Sequence, residues 1–414
     1  MGSSRQFWGD YLIVGGKELQ IIEKGGVAIE GERIVQVKPK LGNYLGKGSV
    51  IMPGLVNSHL HLEFSAHRCR LTYGRGFVEW LKSVIRERET LFSDCTISCF
   101  KRELENLLKS GVTAIGEISS TGRDIVYLKK SPLKGVIYSE IVGLNPGIVD
   151  FIYGDFKSRV EEVAELEQQS GGRWRCGISI HSPYSVHPKL IEKGLELAEE
   201  FSAPLQVHLL ESRAEREWLE IGKGPFKTFF RQQFPYARPH FIPEQFISLF
   251  KGFRVGFVHG VYCGLKEWEQ IGQIGGGVIH SPISNRLLEG GVMDYPKLIE
   301  MGISAGLGTD GLSSNYTLNI WEEMRIGLMV HLKINPEQLA KLLLKSVIWE
   351  NRQILGIEGG EIKPGAIGDI AIFYLPEPVG EISQLYLQLI LHTREVSQLY
   401  ISGHPVVPFK GDLF

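Results

Sequence analysis

Residues 57–65 of the chain read NSHLHLEFS. Successive side chains of a strand point to opposite faces. His59 and His61 therefore share one face, and the leucines that follow each of them take the other. Two neutral imidazoles at that spacing, roughly 7 Å along the strand, can converge on one metal ion. With twelve histidines in 414 residues, roughly 0.35 such pairs arise by chance, so the pair needs further ligands elsewhere. The chain offers His181 in HSPYS, His208 with Glu211 three residues on, His259 in FVHG, His280 in HSPIS and Asp310 in GLGTDG. A carboxyl group beside apolar Leu209 and Leu210 would have its pKa raised toward neutrality, as proton transfer requires.

These residues sit at the ends of short apolar runs that alternate with longer amphipathic stretches. The expected strands are 57–64, 111–118, 134–143, 175–185, 204–212, 254–262, 276–284 and 303–311. Helical patterns such as ISCFKRELENLLKSG and PKLIEKGLELAEEFS lie between them. Strand–helix alternation repeated eight times predicts an α/β fold, a parallel (β/α)8 TIM barrel over 57–356. Active sites of such barrels sit at the C-terminal strand ends, and six of the eight expected strands end there in an acid or an imidazole. Residues 1–56 and 357–414 read as short strands with glycine turns. Neither is long enough for a sheet domain of its own, so the two are expected to form one small β-sandwich together.

Bulk composition narrows the classes. A formal net charge of −2 gives no reason to expect nucleic acid. No apolar run reaches 18 residues, so no membrane span is expected. The first residues lack a basic segment followed by an apolar core, so no secretory signal is expected there. Five scattered cysteines without a C-x-x-C pair argue against a disulfide framework and for a reducing cytoplasm. Metal binding by Cys95 and Cys99 is disfavoured.

The series H-x-H, H-x-x-E, a histidine on strand six and T-D-G on strand eight resembles the amidohydrolase superfamily. Within it, the chain resembles the subgroup of adenosine-type and triazine-type deaminases and chlorohydrolases. The likeness covers nearly the whole chain, from PGLVNSHLH after the N-terminal strands to PGAIGDIAIF on the return to them. It implies His59, His61, His208 and Asp310 as ligands of one divalent metal. Three imidazoles and a carboxylate suit Zn2+, with Fe2+ as the alternative. Two-metal members need a carboxylated lysine, usually at the end of strand four. ISIHSPYS has none, and Lys189 comes later, so one metal is expected. By the same resemblance, Glu211 is the proton shuttle, His259 holds or polarises the attacking water, and Asp310 accepts its proton.

The resemblance also bears on substrate. His181 matches a residue that hydrogen-bonds the purine in adenosine-type deaminases. In related nucleoside deaminases a glutamate after a WL pair holds the ribose hydroxyls. In FVEWLKSVIRERE that glutamate is Glu89, with Trp80 in the same segment. His280 stands where relatives more often carry cysteine, and no role is assigned to it. Arg286 follows in SNRLL, and Arg68, Arg70 and Arg75 lie on the loop after strand one. Arginine suits bidentate capture of a carboxylate, and Arg286 is the candidate. FVEWLKSVIRERE and SNRLL together resemble the 6-aminodeoxyfutalosine deaminases of the futalosine route to menaquinone, whose substrate is an adenine nucleoside carrying a benzoate. The expected partner is thus a small-molecule nucleoside with a carboxylate, its aryl group housed by Phe64, Tyr73, Phe77 and Trp80. The alternatives are a deaminase of S-adenosylhomocysteine, methylthioadenosine or adenosine, then a chlorohydrolase or pyrimidine-type deaminase, then a metal-free assembly protein. Relatives often form homodimers, which leaves that state open here.

Overall fold

Eight runs rich in Val, Ile and Leu become eight parallel strands. A computed structural model describes residues 4–66, 69–94, 97–232 and 237–408, without the side chains of 89–94. The strands are β1 (Leu55–His61), β2 (Val112–Ser119), β3 (Lys134–Ile141), β4 (Trp174–Ile180), β5 (Leu205–Leu209), β6 (Val255–His259), β7 (Gly277–His280) and a broken β8, made of Ala305–Leu307 and Asp310–Gly311. Nearly every position in them is buried. Parallel strands with a core on one face and helices on the other require such runs. Each strand pairs in parallel with the next, and the second piece of β8 returns to β1 with Asp310 opposite Leu60. The (β/α)8 barrel closes there.

The break in β8 shapes the site. A Cβ on Gly308 would lie 2.7 Å from the Cβ of His59, so only glycine lets the eighth strand pass the first. Asn57 clamps the next residue: its Nδ2 donates to Thr309 Oγ1 at 2.7 Å, and its Oδ1 accepts from the Thr309 N–H at 3.1 Å. Below the break, Asn351 bridges the seam, donating to Val56 O at 2.6 Å and Leu307 O at 2.8 Å. The first strand is shorter than its sequence pattern suggests. Leu62–Phe64 forms a 3-10 turn, because the Leu62 N–H goes to Glu117 Oε1 at 2.8 Å and not to a neighbouring strand.

Two further sheets draw on both flanks of the barrel. One orders the strands 33–39, 25–30, 5–8 and 43–44; the other orders 404–407, 398–401, 370–374, 49–53, 11–13 and 21–23. Phe7, Leu12, Val27, Ile29, Ile51, Ile370, Ile372 and Tyr400 form the apolar core of this sandwich. Ser49–Pro53 pairs antiparallel with Ile370–Tyr374 along its whole length and passes through Gly54 into β1. Among the described residues, no helix is long and apolar enough to cross a membrane. Among the described residues, Cys69, Cys99, Cys176 and Cys263 form no disulfide; Cys95 and Arg68 lie outside the described residues.

Candidate metal centre and substrate chamber

Strand alternation brings His59 and His61 to one face of β1, and β5 delivers His208 beside them. Asp310 opens the second piece of β8. One ligand atom from each of these four side chains lies within 4.8 Å of every other. Asp310 Oδ1 is 3.5 Å from His61 Nε2 and 3.7 Å from His59 Nε2, too far for hydrogen bonds of ordinary length. All four residues are buried.

The outer contacts fix which nitrogens are bare. His59 Nδ1 lies 2.9 Å from Gln206 Oε1. The Gln206 amide is oriented by its other end, whose Nε2 donates to Ser58 O at 2.7 Å. The remaining oxygen can only accept, so His59 carries its hydrogen on Nδ1. His208 Nδ1 likewise donates to the His181 carbonyl at 2.9 Å. The Nε2 atoms of both rings are therefore lone pairs, and that of His59 is buried without a hydrogen-bond partner. Burial, with the neighbouring imidazoles, lowers His61 to about 4 and pushes His208 well below its ordinary value, so both stay neutral. Burial opposes ionisation of Asp310, but the surrounding His59, His61 and His259 rings prevail and hold its carboxyl well below the usual range. Three imidazoles and a carboxylate fit a divalent ion such as Zn2+ or Fe2+; His59, His208 and Asp310 are braced from behind, whereas His61 Nδ1 is buried without a hydrogen-bond partner.

Three non-glycine residues at this rim have left-handed backbone: Leu210 (φ 47°), His259 (φ 72°) and Asp310 (φ 58°). Such conformations cost on the order of 1–3 kcal/mol each, and local bonds hold those of Leu210 and Asp310. The Asp310 carboxylate accepts from the Gly311 N–H at 2.8 Å and from the Ser284 and Ser314 hydroxyls at 2.8 and 2.6 Å. At Leu210 the twist turns Glu211 back toward the cluster. Glu215 pins that turn, accepting the N–H groups of Leu210 and Glu211, each at 2.9 Å. Glu211 Oε1 lies 3.5 Å from His259 Nε2, which is 3.9 Å from Asp310 Oδ2. Burial, reinforced by the charges of Asp310 and Glu215, raises the Glu211 carboxyl well above its ordinary value. Burial lowers His259 to about 4. The arrangement sets a carboxylic acid beside a neutral imidazole, next to the candidate cation site.

A cavity of about 100 Å3 opens over the cluster, with Trp80, Glu140, His181, Tyr184, Glu211 and His259 among its walls. Trp80 is fixed by its indole N–H, which donates to Ser313 O at 2.8 Å. His181 is fixed by Ser185, whose Oγ is 2.6 Å from Nδ1. Phe64, Leu81, Val84, Glu140, His181 and Tyr184 also line a second, mostly apolar chamber of about 390 Å3. Leu81, Val84, Ile85 and Arg88 reach it from one face of the helix Phe77–Asp94, at the i, i+3, i+4, i+7 spacing that shares a helix face. Arg88 is the only lysine or arginine among the described residues lining it, and its charge acts on His181.

Several expectations need correction. Arg286 is exposed and lines neither cavity. It follows Asn285, whose side chain faces inward, and one helical residue turns the chain by about 100°. Arg70 and Arg75 are exposed and line neither cavity. Tyr73 and Phe77 are not walls of either cavity. Tyr73 donates to Ser313 O at 2.9 Å, and Phe77 packs against Trp80 and Phe226. The side chain of Glu89 lies outside the described residues. Four residues went unread: Glu140, Gln206, Glu215 and Asn285. Gln206 was legible as the residue two before His208 on the same strand face, and Glu215 as the last residue of S-x-x-E, a helix-start signature. Glu140 ends an apolar run as the recognised residues do.

Residues 50–406 match the amidohydrolase family, and the chain belongs to that family. It is 39% identical to an aminodeoxyfutalosine deaminase of a Nitratiruptor species, over 90% of each chain. It is 30% identical to an adenosine deaminase of Helicobacter pylori, over 94% of this chain and 97% of that one. The fold superposes on the crystal structure of H. pylori aminofutalosine deaminase in complex with methylthio-coformycin with a TM-score of 0.91. Identity there is 28%, covering 97% of this chain and all of the other. A zinc-bound adenosine deaminase of Xanthomonas campestris, 20% identical, shares the fold with a TM-score of 0.78, over 99% of this chain and 94% of that one.

Proposed function

We propose that the protein hydrolytically deaminates an adenine nucleoside bearing an aryl carboxylate, converting 6-amino-6-deoxyfutalosine to futalosine and ammonia in the cytoplasmic route to menaquinone. The observation that carries this reading is the apolar chamber, with one arginine among the described residues that line it, that shares its walls with the cavity over the candidate cation site. A purine at the cluster would extend its substituent into that chamber. The 39% identity to an aminodeoxyfutalosine deaminase supports the same reading.

His59, His61, His208 and Asp310 would hold the ion, Zn2+ before Fe2+. A divalent ion there supplies a water acidic enough to serve as hydroxide near neutral pH. Glu211, protonated in its buried setting, donates to the ring nitrogen next to the carbon under attack. Its carboxylate then takes the proton of the newly added hydroxyl and passes it to the departing amine, which leaves as ammonia, and the proton held by Asp310 restores the acid. His259 Nε2 accepts a hydrogen bond from the attacking water, and Asp310 accepts a proton from it. His181 meets the purine edge, Glu89 or Glu140 the ribose hydroxyls, and Trp80 walls the ring. Arg88 replaces Arg286 as the partner of the carboxylate.

The second reading is a deaminase of adenosine, S-adenosylhomocysteine or methylthioadenosine, favoured by the 30% identity to an adenosine deaminase. Ammonia release measured side by side on 6-aminodeoxyfutalosine, adenosine and S-adenosylhomocysteine separates the two. The expected order of kcat/KM puts 6-aminodeoxyfutalosine first. Equal or higher efficiency on S-adenosylhomocysteine would overturn the choice.

A further inference from the structure

Behind His259 a line of polar side chains runs away from the cation site through the barrel wall. His259 Nδ1 is 2.9 Å from Asn285 Oδ1. Asn285 Nδ2 is 3.1 Å from His280 Nδ1. His280 Nε2 is 3.0 Å from His331 Nε2. The four residues come from β6, the helix Pro282–Leu288, β7 and the end of the helix Ile320–Val330, and all four are buried. Tyr295 packs its ring 5.2 Å from that of His331. Among the described residues, the side-chain amide of Asn285 bonds only to these two imidazoles, so the string alone orients that amide.

The hydrogens can be counted. Burial lowers His331 to about 4 and drives His280 well below its ordinary value, so each ring carries one N–H. Two arrangements then satisfy every contact. In the first, His259 Nδ1–H donates to Asn285 Oδ1, Asn285 Nδ2–H donates to His280 Nδ1, and His280 Nε2–H donates to His331 Nε2. In the second, the amide is turned over and every donor becomes an acceptor, which puts a hydrogen on His259 Nε2. Only the first leaves that nitrogen bare beside Glu211. The choice is made at the outer end, by whether His331 Nε2 offers a lone pair. The amide of Asn285 stands in the first arrangement, with Oδ1 toward His259 Nδ1 and Nδ2 toward His280 Nδ1.

We propose that Asn285, His280 and His331 form a directed hydrogen-bond string that keeps the hydrogen of His259 on Nδ1 and its Nε2 an acceptor, with His331 the remote positioning residue that sets the direction. What a bare His259 Nε2 accomplishes depends on the proposed function; the string itself does not.

The test reads the tautomer directly. Nitrogen–proton correlation spectra of zinc-loaded protein labelled with 15N-histidine, with His259 assigned by its loss in H259N, should show hydrogen on Nδ1. H331F removes the terminal acceptor, and H331Q restores one. H331F should mix the tautomers and lower kcat roughly 10–100-fold at unchanged KM and metal content, and H331Q should recover most of both signals. Hydrogen on His259 Nε2 in the unmodified protein overturns the proposal, even if H331F fails to fold. So does an H331F protein with an unchanged tautomer, or an H331Q protein as impaired as H331F. If no nucleoside is deaminated, the tautomer still decides the string, and only the proposed function falls.

Discussion

The bracing of His59 by Gln206 gives a prediction whose size can be worked out. Gln206→Leu keeps the side-chain volume and removes both bonds, the acceptor for His59 Nδ1–H at 2.9 Å and the donor to Ser58 O at 2.7 Å. Each buried group left unpaired costs about 1–3 kcal/mol, so the apo fold should lose about 2–6 kcal/mol. Unfolding entropy of about 2.1 cal/mol/K per residue gives about 0.9 kcal/mol/K for this chain, so Tm should fall by about 2–7 °C. His59 also becomes free to carry hydrogen on Nε2, the nitrogen that faces the other three ligand candidates. Outer partners of metal-bound histidines are worth about 10–100-fold in affinity, or about 1.4–2.8 kcal/mol. Competition against a fluorescent zinc chelator measures that change, and calorimetry of apo and loaded protein measures the first. Gln206→Glu is the discriminating control. It still accepts from Nδ1–H but sets a carboxylate oxygen against Ser58 O, so stability should fall while zinc affinity stays within about tenfold. Wild-type zinc affinity in Gln206→Leu would refute the claim that this glutamine selects the ligating nitrogen.

Glu211→Gln should retain stoichiometric metal by elemental analysis and lose roughly 10²–10⁴-fold in turnover. Retained turnover would remove Glu211 from the chemistry. Because burial raises the Glu211 carboxyl, its acid form is lost as pH rises through that raised value, so the alkaline limb of the kcat profile should be absent in Glu211→Gln. Burial also raises Glu215, from 4.5 to about 8. The folded chain then binds more protons than the unfolded one between those values, and stability should decline as pH climbs through that window. Urea midpoints across pH should show that slope in the wild type and lose it in Glu215→Gln. Arg88→Met should raise KM for a carboxylated nucleoside roughly 10–100-fold, the worth of a charge-assisted hydrogen bond, and spare adenosine. Arg286→Met should change neither.

The barrel was legible because each of its strands is a short apolar run buried on both faces, and the site because those runs end in histidine or an acid. The same rule, applied evenly, reaches Glu117 on β2 and Glu140 on β3, which complete the ring of strand-end polar residues. The break in β8 was not legible. It depends on how closely Gly308 must pass His59 and on the left-handed turn at Asp310, both products of closing the cylinder. Arg286 misled for a related reason. Its type suits a carboxylate, but helical rotation gives the inward position to Asn285. Gln206, Glu215 and Asn285 touch the residues of the candidate site only through bonds that tertiary structure creates, although two of them left local traces in strand alternation and helix capping.

The pairing of Ser49–Pro53 with Ile370–Tyr374 bears on how the protein is made. Ser49–Pro53 leads through one glycine into the strand that carries His59 and His61, so the first part of the site to leave the ribosome stands beside a sheet edge that is filled only when the far end of the chain arrives. Until then that edge is an open template for wrong partners. Asp310 is likewise made late, so the four-residue cluster is complete only after three quarters of the chain has been synthesised.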